Sequence, residues 1–118
     1  MHEMGIIAGV LEATVRSAEE AGADRVTMVA LNVGEMTEAI PEALQFAFEA
    51  LSEGTLCEGA QLVVNTIGPR SICAECGNEF AHDRFHRSCP ACGSYETLIT
   101  AGRELEIDSI EVEFDDED

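Results

Sequence analysis

The chain contains no lysine. Its six basic side chains are all arginines, set against 24 acidic ones, and the formal net charge is -18 over 118 residues. A surface of that sign repels phosphate backbones, so sequence-independent nucleic-acid binding is not expected. It suits a basic partner or a cation, or serves as a solvated face tuned for solubility or high salt. Also missing is any run of about 18 apolar residues, so no membrane-spanning helix is expected. The first residues include Glu3 and lack the basic start and long apolar block of a secretory signal. Together these absences predict an intracellular, cytoplasmic protein. No nucleophile–base pair and no glycine-rich phosphate loop is visible, so neither catalysis nor nucleotide binding is expected.

What is present is an ordinary apolar share, 46%, enough for one compact domain with a small appendage. "EMGIIAGVLEATVRSAEEAG" places Ile6, Ile7, Val10, Leu11, Thr14, Val15 and Ala18 at helical spacing, and Gly22 is a stop. "DRVTMVALNVG" is rich in β-branched residues and alternates at Val29, Leu31 and Val33, which predicts a strand. "IPEALQFAFEALSEG" predicts a second helix, with Pro41 in its first turn, a stripe of Leu44, Phe48 and Leu51, and Gly54 closing it. "AQLVVNTIG" and "ELEIDSIEVEF" read as two further strands. The phase of the last one slips between Ile107 and Ile110, which a bulge near Asp108–Ser109 would absorb. The acidic residues 115–118 are expected to be disordered.

The expected fold is therefore α+β: a small three-stranded sheet with two helices on one face. The stretch from Pro69 to about Gly102 has no sustained apolar period and is too polar to fold by burial alone. The chain divides on this reading into residues 1–68 with 103–118, and an inserted unit of 69–102.

Five cysteines are an odd number, which argues against a disulfide framework inside the cell. Four of them, Cys73, Cys76, Cys89 and Cys92, stand as C-x2-C-x12-C-x2-C. Two residues between cysteines let both thiolates turn onto one ion, and Gly77 and Gly93 follow the pairs where such knuckles need positive φ. Two knuckles make a four-sulfur tetrahedral site of the kind that holds Zn²⁺, and its closed coordination makes the metal structural. A rubredoxin-like iron site and redox-active cysteine pairs are the competing readings, as is a zinc ribbon of nucleic-acid machinery, which the acidic balance disfavours. Cys57 stands apart as a packing or surface thiol. His82 and His86, between the knuckles, are alternative ligands, sensors of the site's state, or solvent-exposed loop residues.

The chain opens "MHE". Histidine is too large a second residue for efficient methionine removal, so Met1 is expected to persist. The Met1 amine, the His2 amide and the His2 ring can then close two chelate rings, with the Glu3 amide completing a square plane. Deprotonated amides in a plane suit Ni²⁺ or Cu²⁺ rather than Zn²⁺.

"MHE", "LNVGEMTEAIPEALQFAFEALSEGT", "CAECG…CPACGS" and "GRELEIDSIEVE", in that order, resemble the HypA/HybF family of nickel-insertion accessory proteins for [NiFe]-hydrogenase maturation. The resemblance spans the chain apart from its acidic tail. It implies a nickel metallochaperone rather than an enzyme, with nickel held through Met1, His2 and Glu3 and zinc held by Cys73, Cys76, Cys89 and Cys92. It also implies two partners, a maturation GTPase and the hydrogenase large subunit. The rival readings are a zinc-ribbon interaction module that carries no transported metal and, more distantly, an enzyme with catalytic zinc.

Overall fold

The computed structural model describes residues 3–115. Helix α1 (Glu3–Glu20) buries Ile7, Leu11, Thr14 and Ala18, four residues at the spacing that lines one helical face. Arg16 and Glu12 pair along its exposed side at 3.0 Å. The helix stops where Gly22 takes φ +75. There the Gly22 N–H reaches the Glu19 carbonyl and the Ala23 N–H reaches that of Ala18, the two bonds of a Schellman cap.

Strand β1 (Arg25–Gly34) follows, then a short 3-10 turn at Glu35–Thr37, then helix α2 (Pro41–Ser52). Proline occupies the first turn of α2, where its missing N–H costs nothing. Leu44, Ala47, Phe48 and Ser52 form the buried face of α2. Strand β2 (Gln61–Ile67) leads into three short strands, β3 (Arg70–Cys73), β4 (Glu79–Ala81) and β5 (Thr97–Ala101), and β6 (Leu105–Glu113) completes the order.

Two sheets result, ordered β2-β1-β6 and β4-β3-β5. The fold is α+β, as the sequence predicts. β1 is central in the first sheet, and it buries neighbours on both of its faces: Val26, Val29, Ala30, Leu31 and Val33. That differs from simple alternation. Alternation marks a strand with one face open to water, whereas at Val29, Ala30 and Leu31 both faces of β1 are buried. β6 keeps the slipped phase of its sequence, with Ile107, then Ile110 and Val112, as its half-buried positions.

The chain divides into two compact units. One comprises residues up to Leu31, Ala39–Asn65 and those from Glu106 onward; the other comprises Asn32–Glu38 and Thr66–Leu105. In the first, Ile7, Val26, Val29, Leu31 and Leu44 are fully enclosed. The Thr14 hydroxyl is enclosed with them and has no hydrogen-bond partner among the described residues.

In the second unit, β3 pairs antiparallel with both β4 and β5, with a register shift between Arg70 and Ser71 against β5. The end of β1 belongs here: the Gly34 N–H donates to the Glu104 carbonyl, and the Met36 N–H to that of Gly102. The two glycines touch so closely that a Cβ on Gly34 would lie 2.0 Å from the Gly102 carbonyl oxygen. Gly102 itself sits at φ +112. Both positions require glycine, one for space and one for backbone conformation. Among the described residues no helix is long and apolar enough to cross a membrane.

Candidate metal centre

The two C-x-x-C turns are built alike, bond for bond. In the first, the Cys73 N–H donates to the Asn78 carbonyl and the Gly77 N–H to the Cys73 carbonyl. In the second, the Cys89 N–H donates to the Ser94 carbonyl and the Gly93 N–H to the Cys89 carbonyl. Gly77 and Gly93 both take φ +76. The left-handed residue turns the chain back on itself and leaves backbone N–H groups facing sulfur: the Cys76 N–H lies 3.5 Å from the Cys73 Sγ. The first cysteine of each pair is buried and the second is exposed. Cys73 and Cys89 meet Phe80 in a small cluster of buried residues.

The four sulfurs of Cys73, Cys76, Cys89 and Cys92 lie within 4.8 Å of one another. Cys73 is 3.6 Å from Cys92, and Cys76 is 3.6 Å from Cys89. All are free thiols. A Zn²⁺ ion bound at ~2.3 Å to each of four sulfurs sets tetrahedral S···S edges of roughly 3.8 Å. The observed crossings fit that cage, and the all-sulfur donor set suits a soft tetrahedral ion.

The electrostatics carry the same signature. Four thiols this close cannot all ionise without a cation, and their acidities split. Burial opposes ionisation of Cys89, yet the Cys92 and Ala91 N–H groups outweigh it and bring the thiol down to about 6. The Ser94 N–H favours the Cys92 thiolate, but the neighbouring thiols, led by Cys73, push it up to about 12. The Cys76 N–H lowers Cys73. Cys76 is raised by Cys89 and Cys73 despite the Asn78 N–H.

The histidines are engaged elsewhere. His82 Nδ1 lies 2.6 Å from the Asp83 carbonyl, which can only accept, so that nitrogen carries the proton. The Ser71 hydroxyl and His82 Nε2 share a hydrogen bond of 2.7 Å. The ring also packs on Phe80, with centroids 5.5 Å apart. His86 is exposed, its Nδ1 2.8 Å from both oxygens of Asp83. Neither joins the sulfur cluster. Cys57 is fully buried, with its thiol pushed up by burial, and it too stands outside the cluster.

Two residues near the sulfurs carry no sequence motif. Ser71, wholly buried on β3, fastens His82. Asn78 points its side-chain amide at the Cys89 Sγ, 3.8 Å away. Its place directly after the knuckle glycine is the one signal that could have marked it.

Of the nickel-ligand candidates, Met1 and His2 lie outside the described residues. Glu3 opens α1, and its carboxylate accepts the Ile40 N–H at 3.0 Å.

Comparison with known proteins places these features in context. Residues 1–112 match the family described as "Hydrogenase/urease nickel incorporation, metallochaperone, hypA". The chain is 41% identical over 113 residues to the hydrogenase maturation factor HypA of Geobacter metallireducens, covering 96% of this chain and 100% of that one. It is 42% identical over 113 residues to the HypA of Chlorobaculum tepidum, with the same coverage. Among solved structures it is similar to the solution structure of the Ni metallochaperone HypA from Helicobacter pylori, with TM-score 0.72 over 98% of this chain and 100% of that one. At 24% identity that likeness establishes a shared fold.

Proposed function

Because this chain belongs to the HypA family of hydrogenase nickel-incorporation proteins, we propose that it is a cytoplasmic metallochaperone, not an enzyme, that binds Ni²⁺ at its N-terminus and hands it on during [NiFe]-hydrogenase maturation. Nickel is cargo. Its ligands are the Met1 amine, the His2 amide and ring, and the Glu3 amide. Its partners are a maturation GTPase and the hydrogenase large subunit. The nickel-binding part is 1–68 with 103–118; the zinc-binding part is 69–102.

The observation that carries this reading is the family match, which runs over residues 1–112 and so takes in the MHE start of the chain. Glu3 begins α1, and its carboxylate accepts the Ile40 N–H. A chelate built on terminal nitrogens is open on several sides, so an acceptor can strip it ligand by ligand. Binding displaces protons from the amine and amides, and affinity falls as pH falls.

Cys73, Cys76, Cys89 and Cys92 hold the resident zinc. That ion, when bound, supplies a structural cross-link and no open coordination position. The protein's own contribution is the pair of matched turns, whose N–H groups lower Cys73 and Cys89 and so prepare thiolates.

The test is calorimetric nickel titration of the untagged protein beside its N-acetylated form and His2→Ala. Tight binding by the unmodified protein alone, with a square-planar absorption band, is expected. Unchanged affinity after acetylation would transfer the site to other residues. A protein that holds zinc but no nickel in any form would leave the interaction-module reading in its place.

A further inference from the structure

Sheet edges present unpaired backbone groups, and proteins guard them with charge, proline or bulges. The first sheet has two edges, β2 and β6. β6 carries Glu106, Asp108, Glu111 and Glu113. β2 reads QLVVNTI, with no charge and no proline. The start of that unguarded edge, Gln61 and Leu62, lines a groove of about 890 Å³, walled by α2 on its other side. Phe48 and Leu62 line it, and Phe46 stands at its lip, 70% exposed.

The groove is acidic. Glu49, Glu53 and Glu58 line it, and no arginine does. Glu58 is held in place by the Gly54 N–H at 2.7 Å. Among the described residues neither Glu49 nor Glu53 has a cationic partner. Both lie toward the C-terminal end of α2, whose last turn contains no basic residue. Carboxylates there face the negative end of the helix dipole, an arrangement a cation relieves. An amide donor is already presented to the strand: Gln45 Nε2 donates to the Leu62 carbonyl at 2.8 Å.

We propose that this groove docks an extended segment of a protein partner whose every second residue, the set that faces the groove, includes both apolar and arginine or lysine side chains. The segment adds to β2 as a further strand. Its backbone N–H groups make bonds of the kind Gln45 makes, its apolar side chains meet Phe46 and Leu62, and its cations meet Glu49 and Glu53. A second copy of this chain is the wrong occupant, because it brings the same acidic rim and a net charge of -18. The proposal is independent of the metal sites.

The experiment uses the full-length zinc-loaded protein and a short capped peptide whose every second residue is arginine or valine in turn, with threonine between them. Three proteins are compared: the unaltered chain, the Glu49→Gln/Glu53→Gln double variant, and a control with the same charge change, Glu19→Gln/Glu20→Gln, on exposed positions of α1. The unaltered chain and the control are expected to bind alike, with the groove variant weaker by about tenfold. Phe46→Ala weakens binding further. Hydrogen exchange of amides in 61–65 slows when peptide is bound, and an N-methylated peptide of equal charge gives neither effect. Equal loss in both double variants would mean diffuse attraction to an acidic surface and would overturn the proposal. So would binding without protection of 61–65, or a concentration-dependent dimer that Phe46→Ala abolishes.

Discussion

The Glu3 carboxylate accepts the Ile40 N–H at 3.0 Å, fastening the first turn of α1 to the residue that precedes α2. This charged bond ties two segments 37 residues apart. Glu3→Ala is expected to cost about 0.5–1 kcal/mol of stability in urea unfolding. It is also expected to weaken nickel binding while zinc content stays constant. Glu3→Gln, whose amide oxygen can accept the same bond, recovers most of both. A nickel affinity untouched by Glu3→Ala would show that the anchoring has no bearing on the chain's start.

The cysteines make a prediction about reactivity. With zinc bound, a thiol reagent is expected to find no fast-reacting cysteine. After chelation, the four clustered thiols react, and Cys89, lowered to about 6, leads near neutral pH. Cys57, buried and raised, reacts only when its unit unfolds. Cys73→Ala is expected to lose zinc and to speed hydrogen exchange in β3, β4 and β5 far more than in α1 and β1. Equal loss of protection everywhere would contradict that separation.

Thr14 is the one described residue whose buried hydroxyl has no partner. Leaving a buried donor unsatisfied costs more than replacing it with a methyl group of similar shape. Thr14→Val is expected to stabilise the protein by about 1 kcal/mol, measured as a raised urea midpoint with an unchanged slope.

Asp83 gathers the Phe85 N–H, the His86 N–H and the His86 ring. The ring is the chief cause of its lowered pKa, followed by the Phe85 N–H. A carboxylate depressed by folding stabilises fully above its unfolded value of about 3.9, and that contribution is lost as pH falls through the lower folded value. The amide NMR shifts of Phe85 and His86 are expected to stay constant down to that range and then move together. Asp83→Asn shifts both at neutral pH.

The sequence carries much of this architecture because the governing signals are local. Helical spacing marks the stripe of Ile7, Leu11 and Ala18; Pro41 and Gly54 mark the bounds of α2; Gly77 and Gly93 mark the knuckles. The strands β3, β4 and β5 are less legible. They are 4, 3 and 5 residues long, and backbone pairing and the sulfur cluster order them rather than apolar alternation. Ser71 has the look of a loop serine, yet it is wholly buried, because its bond to His82 is made across 11 residues of chain. The approach of Gly34 to Gly102 is equally silent in the sequence, since a glycine that lacks room for a Cβ reads like any other.

The position of β1 has a consequence for synthesis. β1 is flanked by β2, made soon after it, and by β6, the last strand. The Arg25 guanidinium bonds Glu113 across 88 residues. β3 to β5, with all four clustered cysteines, are therefore made before the strand that covers the other side of β1. The ribbon's pairing partners all lie within β3 to β5, whereas the first sheet closes only once β6 is free to pair with β1.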